Sequence, residues 1–376
     1  MTYDIAIIGA GMAGASLAWS LGQRSGGRLR VALLEMEAQP GYHTTGRSAA
    51  FWVESYGGPG IVPLTRASRS FFDAPPAGFC DRPLLGPRDA VMLAPPDDAD
   101  FHGGALAALA AEFDAGGVAY VPVDAAWLAA SPLGPMLRPE WLTAGLLQPG
   151  CFDIDVAALH QGYLRGSVDW KPTLVRDAEV TGLTRRAGVW HVETRAGPIA
   201  ATTIVNAAGA WGDGVAGLAG ARPRGLLPLR RTMAVLALDP PVAADLPITM
   251  DAAERFYFKP ESGRLWLSPH DETLDVPHDV RPDELDLATV IDRFEQAARA
   301  RVVRLESSWA GLRTFAPDRL PVFGWDGAVD GLFWCAGQGG FGIQTAPAAG
   351  DLCAALLLDQ APALDPAPYS AKRFII

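Results

Sequence analysis

The sequence predicts an α/β protein in which a parallel, nucleotide-type sheet is interrupted by an antiparallel, β-rich insertion. Three observations carry this. Residues 3–14, Tyr3-Asp-Ile-Ala-Ile-Ile-Gly-Ala-Gly-Met-Ala-Gly14, lead an apolar strand straight into a Gly-x-Gly-x-x-Gly turn. Residues 203–211 and 332–342 repeat the strand-then-glycine pattern at the middle and end of the chain. Between those two, residues 226–270 alternate apolar and polar positions around turn residues, the signature of antiparallel strands.

The first turn is built to hold a pyrophosphate. Gly9 permits the sharp turn, Gly11 lets the backbone approach the phosphates, and Gly14 lets the next helix pack close to the strand. That helix, over 12–21, opens with Met12 and Ala13 and presents free N–H groups and a positive dipole end. A second strand, 30–35, ends on Glu35, about 20 residues on, where an acid hydrogen-bonds a ribose hydroxyl. The loop 41–50, rich in small and hydroxyl residues, is expected to open a helix. Residues 57–150 are Pro-rich, with strands at 90–93 and 118–123 and a helix at 101–115.

Asp155 caps a helix through 165, and an alternating strand covers 189–194. In the insertion, strands fall at 233–238, 255–259 and 264–268, with a turn at 261–263. An amphipathic helix spans 282–303, with Leu287, Ile291, Phe294, Ala298 and Val302 on one face. A last strand, 332–335, enters Gly337-Gln-Gly-Gly-Phe-Gly342, and a helix runs from 344 to 358.

Bulk properties exclude several classes. At 376 residues, 49% hydrophobic and 19% charged, the chain has ample material for a core. The net charge of −11, without any Lys/Arg-rich run, argues against nucleic acid and anionic membranes as partners. Cys80, Cys151, Cys335 and Cys353 form no C-x-x-C pair, so free buried thiols are expected and no metal site. No apolar run is long enough for a membrane span, and a cytoplasmic location is the default expectation.

Several blocks carry a family likeness: residues 41–50 (Gly-Tyr-His-Thr-Thr-Gly-Arg-Ser-Ala-Ala), 157–165, 205–211 (Val-Asn-Ala-Ala-Gly-Ala-Trp), 256–260 (Phe-Tyr-Phe-Lys-Pro), 309–313 (Trp-Ala-Gly-Leu-Arg) and 337–345. Taken in order they resemble the flavin-dependent D-amino-acid oxidase and dehydrogenase family, which includes glycine oxidase and sarcosine oxidase. Within it they are most similar to bacterial D-arginine dehydrogenase. The resemblance implies an FAD-binding domain of the Rossmann-like, glutathione-reductase type, formed by 1–56, 150–222 and 309–376. A substrate domain would comprise 57–149 and 223–308.

It also implies which residues hold FAD. Gly9, Gly11, Met12, Ala13, Gly14 and Glu35 would take the nucleotide. Thr44, Thr45, Arg47, Ser48, Ala49 and Ala50, with Val180, Ala208, Gly209 and Trp211, would line its path. Gly339, Gly340, Phe341, Gly342, Ile343, Gln344 and Thr345 would flank the flavin. The helix start after Gly342 would set positive dipole near the ring edge that gains charge on reduction. Where some relatives link FAD through a cysteine, this chain reads Gly311-Leu-Arg313, so noncovalent FAD is expected.

For the substrate, the resemblance assigns Arg313 as carboxylate clamp, Arg231 as a second arginine with Arg230 as its competitor, Tyr257 as a carboxylate hydrogen-bond donor, and Tyr56 as a cover on a Gly-rich loop. Bidentate arginine suits a carboxylate better than lysine does. His43 belongs to the flavin loop, His160 to the core, and His270 and His278 receive no role. Three positions depart from D-arginine dehydrogenase: Phe51, Val53 and Ala90 replace polar or acidic residues around the pocket, near Gly339. An arginine side chain would there lose its ion pair. The expected activity is oxidative deamination of D-amino acids with neutral or hydrophobic side chains. The acceptor would be a quinone, a respiratory component or O2. Oxidation of secondary or cyclic amines or 2-hydroxy acids, and a non-catalytic flavin-binding role, are the alternatives.

Overall fold

The apolar run Thr2–Ile8 is the central strand of a sheet in the computed structural model, which describes residues 1–98, 104–167 and 170–374. It pairs in parallel with Val31–Leu34 on one side and Ile199–Asn206 on the other. Thr173–Val175 and Leu332–Ala336 extend the parallel array outward. A hairpin, Val180–Arg186 and Val189–Thr194, and the strand Val322–Trp325 complete eight strands. Buried on both faces, the inner strands need no alternation, which is why they read as continuous apolar runs. One face packs on helices Met12–Ser25 and Ala346–Leu357; the other covers a core around Trp190, Trp334 and Ile204.

A second sheet has ten strands. Its path runs Gln338–Gly339, Arg301–Phe315, Leu227–Asp239, Arg264–Ser268, Tyr257–Glu261, Ile248–Asp251, Ala90–Leu93, Ala144–Gln148 and Val121–Asp124, with Thr273–Leu274 beside Leu227–Asp239. Only Ile248–Asp251 and Ala90–Leu93 pair in parallel. Helix Glu284–Ala297 covers one face, packing Leu287, Val290 and Phe294 on Leu236, Phe258 and Leu265. Phe51–Trp52, Phe152–Ile154 and Leu85–Pro87 form a small third sheet.

Several elements differ from expectation. The helix expected through 303 stops at Ala297, Ala298 is extended, and Val302 lies on Arg301–Phe315. Val302 still packs on the same core, so its apolar position fits the helical period although it belongs to a strand. The loop 41–50 opens no α-helix. It makes a 3-10 turn, Thr44–Arg47, because its hydroxyl and guanidinium groups bond to neighbouring segments instead of continuing a helix. The helix expected at 101 is described from Ala105 to Gly116, and residues 101–103 lie outside the described residues. The expected domain boundary at 309 falls inside the unbroken strand Arg301–Phe315. Through Thr314 and Phe315 that strand pairs with Gln338–Gly339, so the second sheet reaches into the C-terminal glycine turn.

Candidate active site

A cavity of about 430 Å³ opens where the carboxyl ends of the parallel strands meet the long strand Arg301–Phe315. Ile8, Leu34, Ala207 and Ala336 line one side, and Gly311–Thr314 the other, residues 311–314 of the long strand. This is the crevice in which open α/β sheets bind ligands.

Its nucleotide end is set by backbone geometry. Gly9 has φ +105°, and a Cβ there would sit 2.4 Å from the Ala207 carbonyl oxygen. Gly14 does not face the cavity; a Cβ on it would meet the Gly9 oxygen at 1.9 Å, so its role is to let the helix approach the strand. Helix Met12–Ser25 starts at Gly11 with no side-chain cap and no acid in its first turn, leaving an N-terminus suited to an anion. Glu35 is buried and accepts hydrogen bonds from the Ala10 amide at 3.2 Å and the Glu37 amide at 3.1 Å. Burial pushes its pKa up, against those donors.

The loop 42–48 closes one wall. Thr45 Oγ1 accepts from the Met12 amide at 2.9 Å, and Thr44 Oγ1 donates to the Leu312 carbonyl at 2.7 Å. Arg47 lines the cavity, yet its guanidinium is spent on the Val280 and Ala310 carbonyls and on Asp279. It fixes the loop to the second sheet. Ser48, Val180, Ala208, Gly209, Trp211, Gly339, Gly340, Gly342 and Ile343 also line the cavity, as do Gly11, Met12 and Ala13.

Five expected cofactor residues besides Gly14 stand behind the lining. Ala49 gives its carbonyl to buried Lys259, and Ala50 turns the chain at φ +47°. Phe341 packs edge-on against Tyr56 and Phe315. Gln344 is buried, donating to the Tyr56 carbonyl at 3.2 Å and accepting from the Val53 amide at 3.2 Å, so it holds the 53–56 segment. Thr345 Oγ1 donates to the Phe341 carbonyl. The C-terminal helix begins at Ala346, not directly after Gly342, because residues 341–345 form turns.

Arg313 lines the other end. Its Nη1 donates to Tyr56 Oη at 2.5 Å and its Nη2 to Tyr257 Oη at 3.5 Å. No carboxylate among the described residues lies within ion-pair distance of it. Burial works against its charge, but the Tyr56 and Tyr257 phenols and the carboxylates of Glu272 and Asp271 outweigh burial and hold its pKa above the usual value. The backbone presses close: a Cβ at Gly340 would lie 2.7 Å from Tyr56 Oη and 2.9 Å from Arg313 Nη1. Tyr257 Oη is 3.4 Å from Met233 Sδ.

Strand alternation separates the two neighbouring arginines. Arg231 lines the cavity, whereas Arg230 turns away to Asp275, Asp283 and Asp286. Arg231 is 4% exposed, and its buried Nη1 has no hydrogen-bond partner among the described residues. Burial and the nearby Arg313 lower its pKa. A buried guanidinium nitrogen without a partner needs an acceptor, and an anion in the cavity would supply one.

Phe51, Val53 and Ala90 do not line the cavity. They sit in a closed apolar cluster with Met92, Met233 and Tyr257, and Phe51 lies edge-on to Tyr56 and Tyr257. Asp89, next to Ala90, is exposed and accepts from the Gly150 amide. His270 was passed over by sequence reasoning, yet its ring lies 5.5 Å from that of Tyr257. Burial, with Arg231 and Arg313 nearby, pushes its pKa down to about 3. Nothing in the polar stretch 269–280 marks it. Cys335, also unforeseen here, lines the cavity. His43 pairs with Glu37 and packs on Trp211, and His160 bonds the Ala10 carbonyl inside the core. Among the described residues no cluster of three His, Cys, Asp or Glu could hold a metal.

The model of FAD dependent oxidoreductases named DAO matches residues 4–356. The chain belongs to the DAO family. Mouse mitochondrial dimethylglycine dehydrogenase is 29% identical over 266 residues, 64% of this chain but 30% of that protein, so the chain spans about a third of that relative's length. Hydrogen cyanide synthase subunit HcnC of Pseudomonas aeruginosa is 26% identical over 99% of the chain and 96% of its own. The crystal structure of glycine oxidase from Geobacillus kaustophilus superposes with a TM-score of 0.83 at 23% identity, covering 99% of both chains. These relatives carry the family; D-arginine dehydrogenase as its nearest member does not follow from them.

The residues present fit the FAD of a DAO-family protein. A helix N-terminus with glycine at its cap position and no acid in its first turn suits the pyrophosphate, buried Glu35 suits a ribose, and the glycine turns leave backbone where side chains would collide. Among the described residues no helix is long and apolar enough to cross a membrane.

Proposed function

We propose that this chain carries out FAD-dependent oxidative deamination of D-amino acids, with FAD bound noncovalently and neutral or hydrophobic side chains preferred. When bound, FAD supplies the acceptor for the two electrons of the Cα–H bond. Arg313 grips the substrate carboxylate, Tyr257 adds a hydrogen bond, Arg231 supplies a second cationic donor, and Tyr56 covers the site. The imino acid product is hydrolysed by water to a 2-oxo acid and ammonia. The observation that carries this reading is Arg313: a guanidinium at the cavity whose hydrogen bonds, among the described residues, go to two phenols, with the Gly340 backbone close by. An ionised carboxylate is the partner that geometry calls for.

The side-chain preference is supported by the apolar character of the residues packed behind Tyr56 and Tyr257, Phe51 among them, and by the outward turn of Asp89. The handedness is supported by the family blocks alone. The test is kcat/KM for D-Phe, D-Met, D-Pro and D-Arg beside their L forms. Neutral D substrates should lead; a clear preference for D-Arg, or for the L series, contradicts the proposal. Oxidation of N-substituted amines, secondary and cyclic amines among them, is the second reading, favoured by the similarity to dimethylglycine dehydrogenase. Faster bleaching of the flavin by N-methyl amino acids than by primary ones would select it, and a flavin that no amine, amino acid or 2-hydroxy acid reduces would indicate a non-catalytic role.

A further inference from the structure

We propose that Arg319 limits the hold of the Glu272 carboxylate on Arg231, keeping Nη1 of that guanidinium free for the carboxylate of the substrate. The inference rests on the reading of Arg231 as part of the anion site. Arg231 spends its Nε on the Asp271 carbonyl at 2.7 Å and meets Glu272 Oε1 through Nη2 at a long 3.3 Å. Its Nη1 stays unpartnered. An acid this near an anion site is a built-in competitor, tethered to the chain and always present.

The structure shows what restrains it. Arg319 takes both Glu272 oxygens, Nη1 to Oε2 at 2.9 Å and Nη2 to Oε1 at 2.8 Å, the two-pronged geometry that makes arginine–carboxylate pairs strong. Despite partial burial, Arg319, then Arg231 and Arg313, hold the Glu272 carboxyl below its usual range, so the competitor is fully charged at neutral pH. Arg319 itself is anchored independently of Glu272. It sits in the turn after the strand that carries Arg313, at φ +64°, its amide bonded to the Ala316 carbonyl and its guanidinium 4.1 Å over the Phe315 ring. The Asp271 carboxylate also lies near Arg231, its Oδ1 3.8 Å from Nε, but it is fixed by the Thr232 amide at 2.8 Å and Thr232 Oγ1 at 2.9 Å and leaves Nη1 unpartnered among the described residues. Arg319 is therefore a positioning residue that acts through Glu272.

Benzoate binding to the holoenzyme, followed as a perturbation of the flavin spectrum, tests this without depending on which amino acid is the substrate. Arg319→Ala should weaken benzoate about tenfold, within the coupling range of contacting charged groups. Adding Glu272→Gln to that variant should return the affinity to within about twofold of wild type, since the freed competitor is then gone. An unchanged affinity in Arg319→Ala overturns the proposal, and so does a weakened one that Glu272→Gln leaves weak, which would mark Arg319 as merely structural. If Arg319→Ala loses its flavin, Arg319→Lys, which keeps the charge but loses the fork, carries the same test with the same reversal. A wild-type holoenzyme that neither binds benzoate nor is reduced by any amino acid would sink the proposed function, and this inference with it.

Discussion

At the scale of single residues, the proposed anion site is two guanidiniums and two phenols whose partners among the described residues satisfy them only in part. Tyr257→Phe removes the hydroxyl near Arg313 but keeps the ring in its apolar cluster. KM for the carboxylate substrate should rise about tenfold, the size of a hydrogen bond to a charged group, with thermal stability little changed. An unaltered KM would remove Tyr257 from the site. His270 gives a pH signature. Its pKa stands near 3 in the fold, depressed by burial and two arginines, against about 6.5 in an unfolded chain. Its contribution to stability is therefore complete above about pH 6.5 and is lost as pH falls toward 3, where the unfolded chain takes up a proton that the fold refuses. His270→Gln should flatten that part of a plot of denaturation midpoint against pH, and an unchanged slope would contradict the assignment. Arg313 was legible at the cavity because it ends a family block, 309–313, whereas Arg231 stayed open against Arg230 until strand alternation turned Arg230 away. His270 was not, because its burial comes from a segment without periodicity folding over the strand end.

At the scale of elements, the glycine turns and the long strand decide where the cavity is. Gly9→Ala places a methyl 2.4 Å from a carbonyl oxygen and forces φ +105° on a residue with a side chain. A loss of about 2–3 kcal/mol in stability, together with FAD affinity, is expected. Wild-type FAD retention in that variant would contradict the cradle. The first strand, turn and helix were readable because local pattern and tertiary role agree. The end of the helix at Ala297 was not. Val302 keeps the helical period while hydrogen bonding to Leu227–Asp239 captures it as strand, and only the partner strand decides between the two. Phe51, Val53 and Ala90 were matched by position along the chain, but packing draws them into the cluster behind the tyrosines.

At the scale of the whole molecule, the cavity lies on the seam between two sheets, and ligand there should tie the sheets together. Stripped of FAD, the protein should melt lower, and added FAD should raise the midpoint with concentration as mass action requires. A midpoint indifferent to FAD would contradict a site on the seam. Acid denaturation should release the flavin to the supernatant. Flavin that stayed with the polypeptide would contradict noncovalent binding and point to Cys335, the cysteine that lines the cavity. The central claim is that Arg313 grips a carboxylate beside the cofactor. Its most direct test is anaerobic flavin reduction by D-phenylalanine in the wild type and in Arg313→Ala, both loaded with FAD. Losing an anchor of this kind should slow reduction at low substrate by about 10²–10³-fold while flavin content is kept; equal rates in the two proteins would contradict the account.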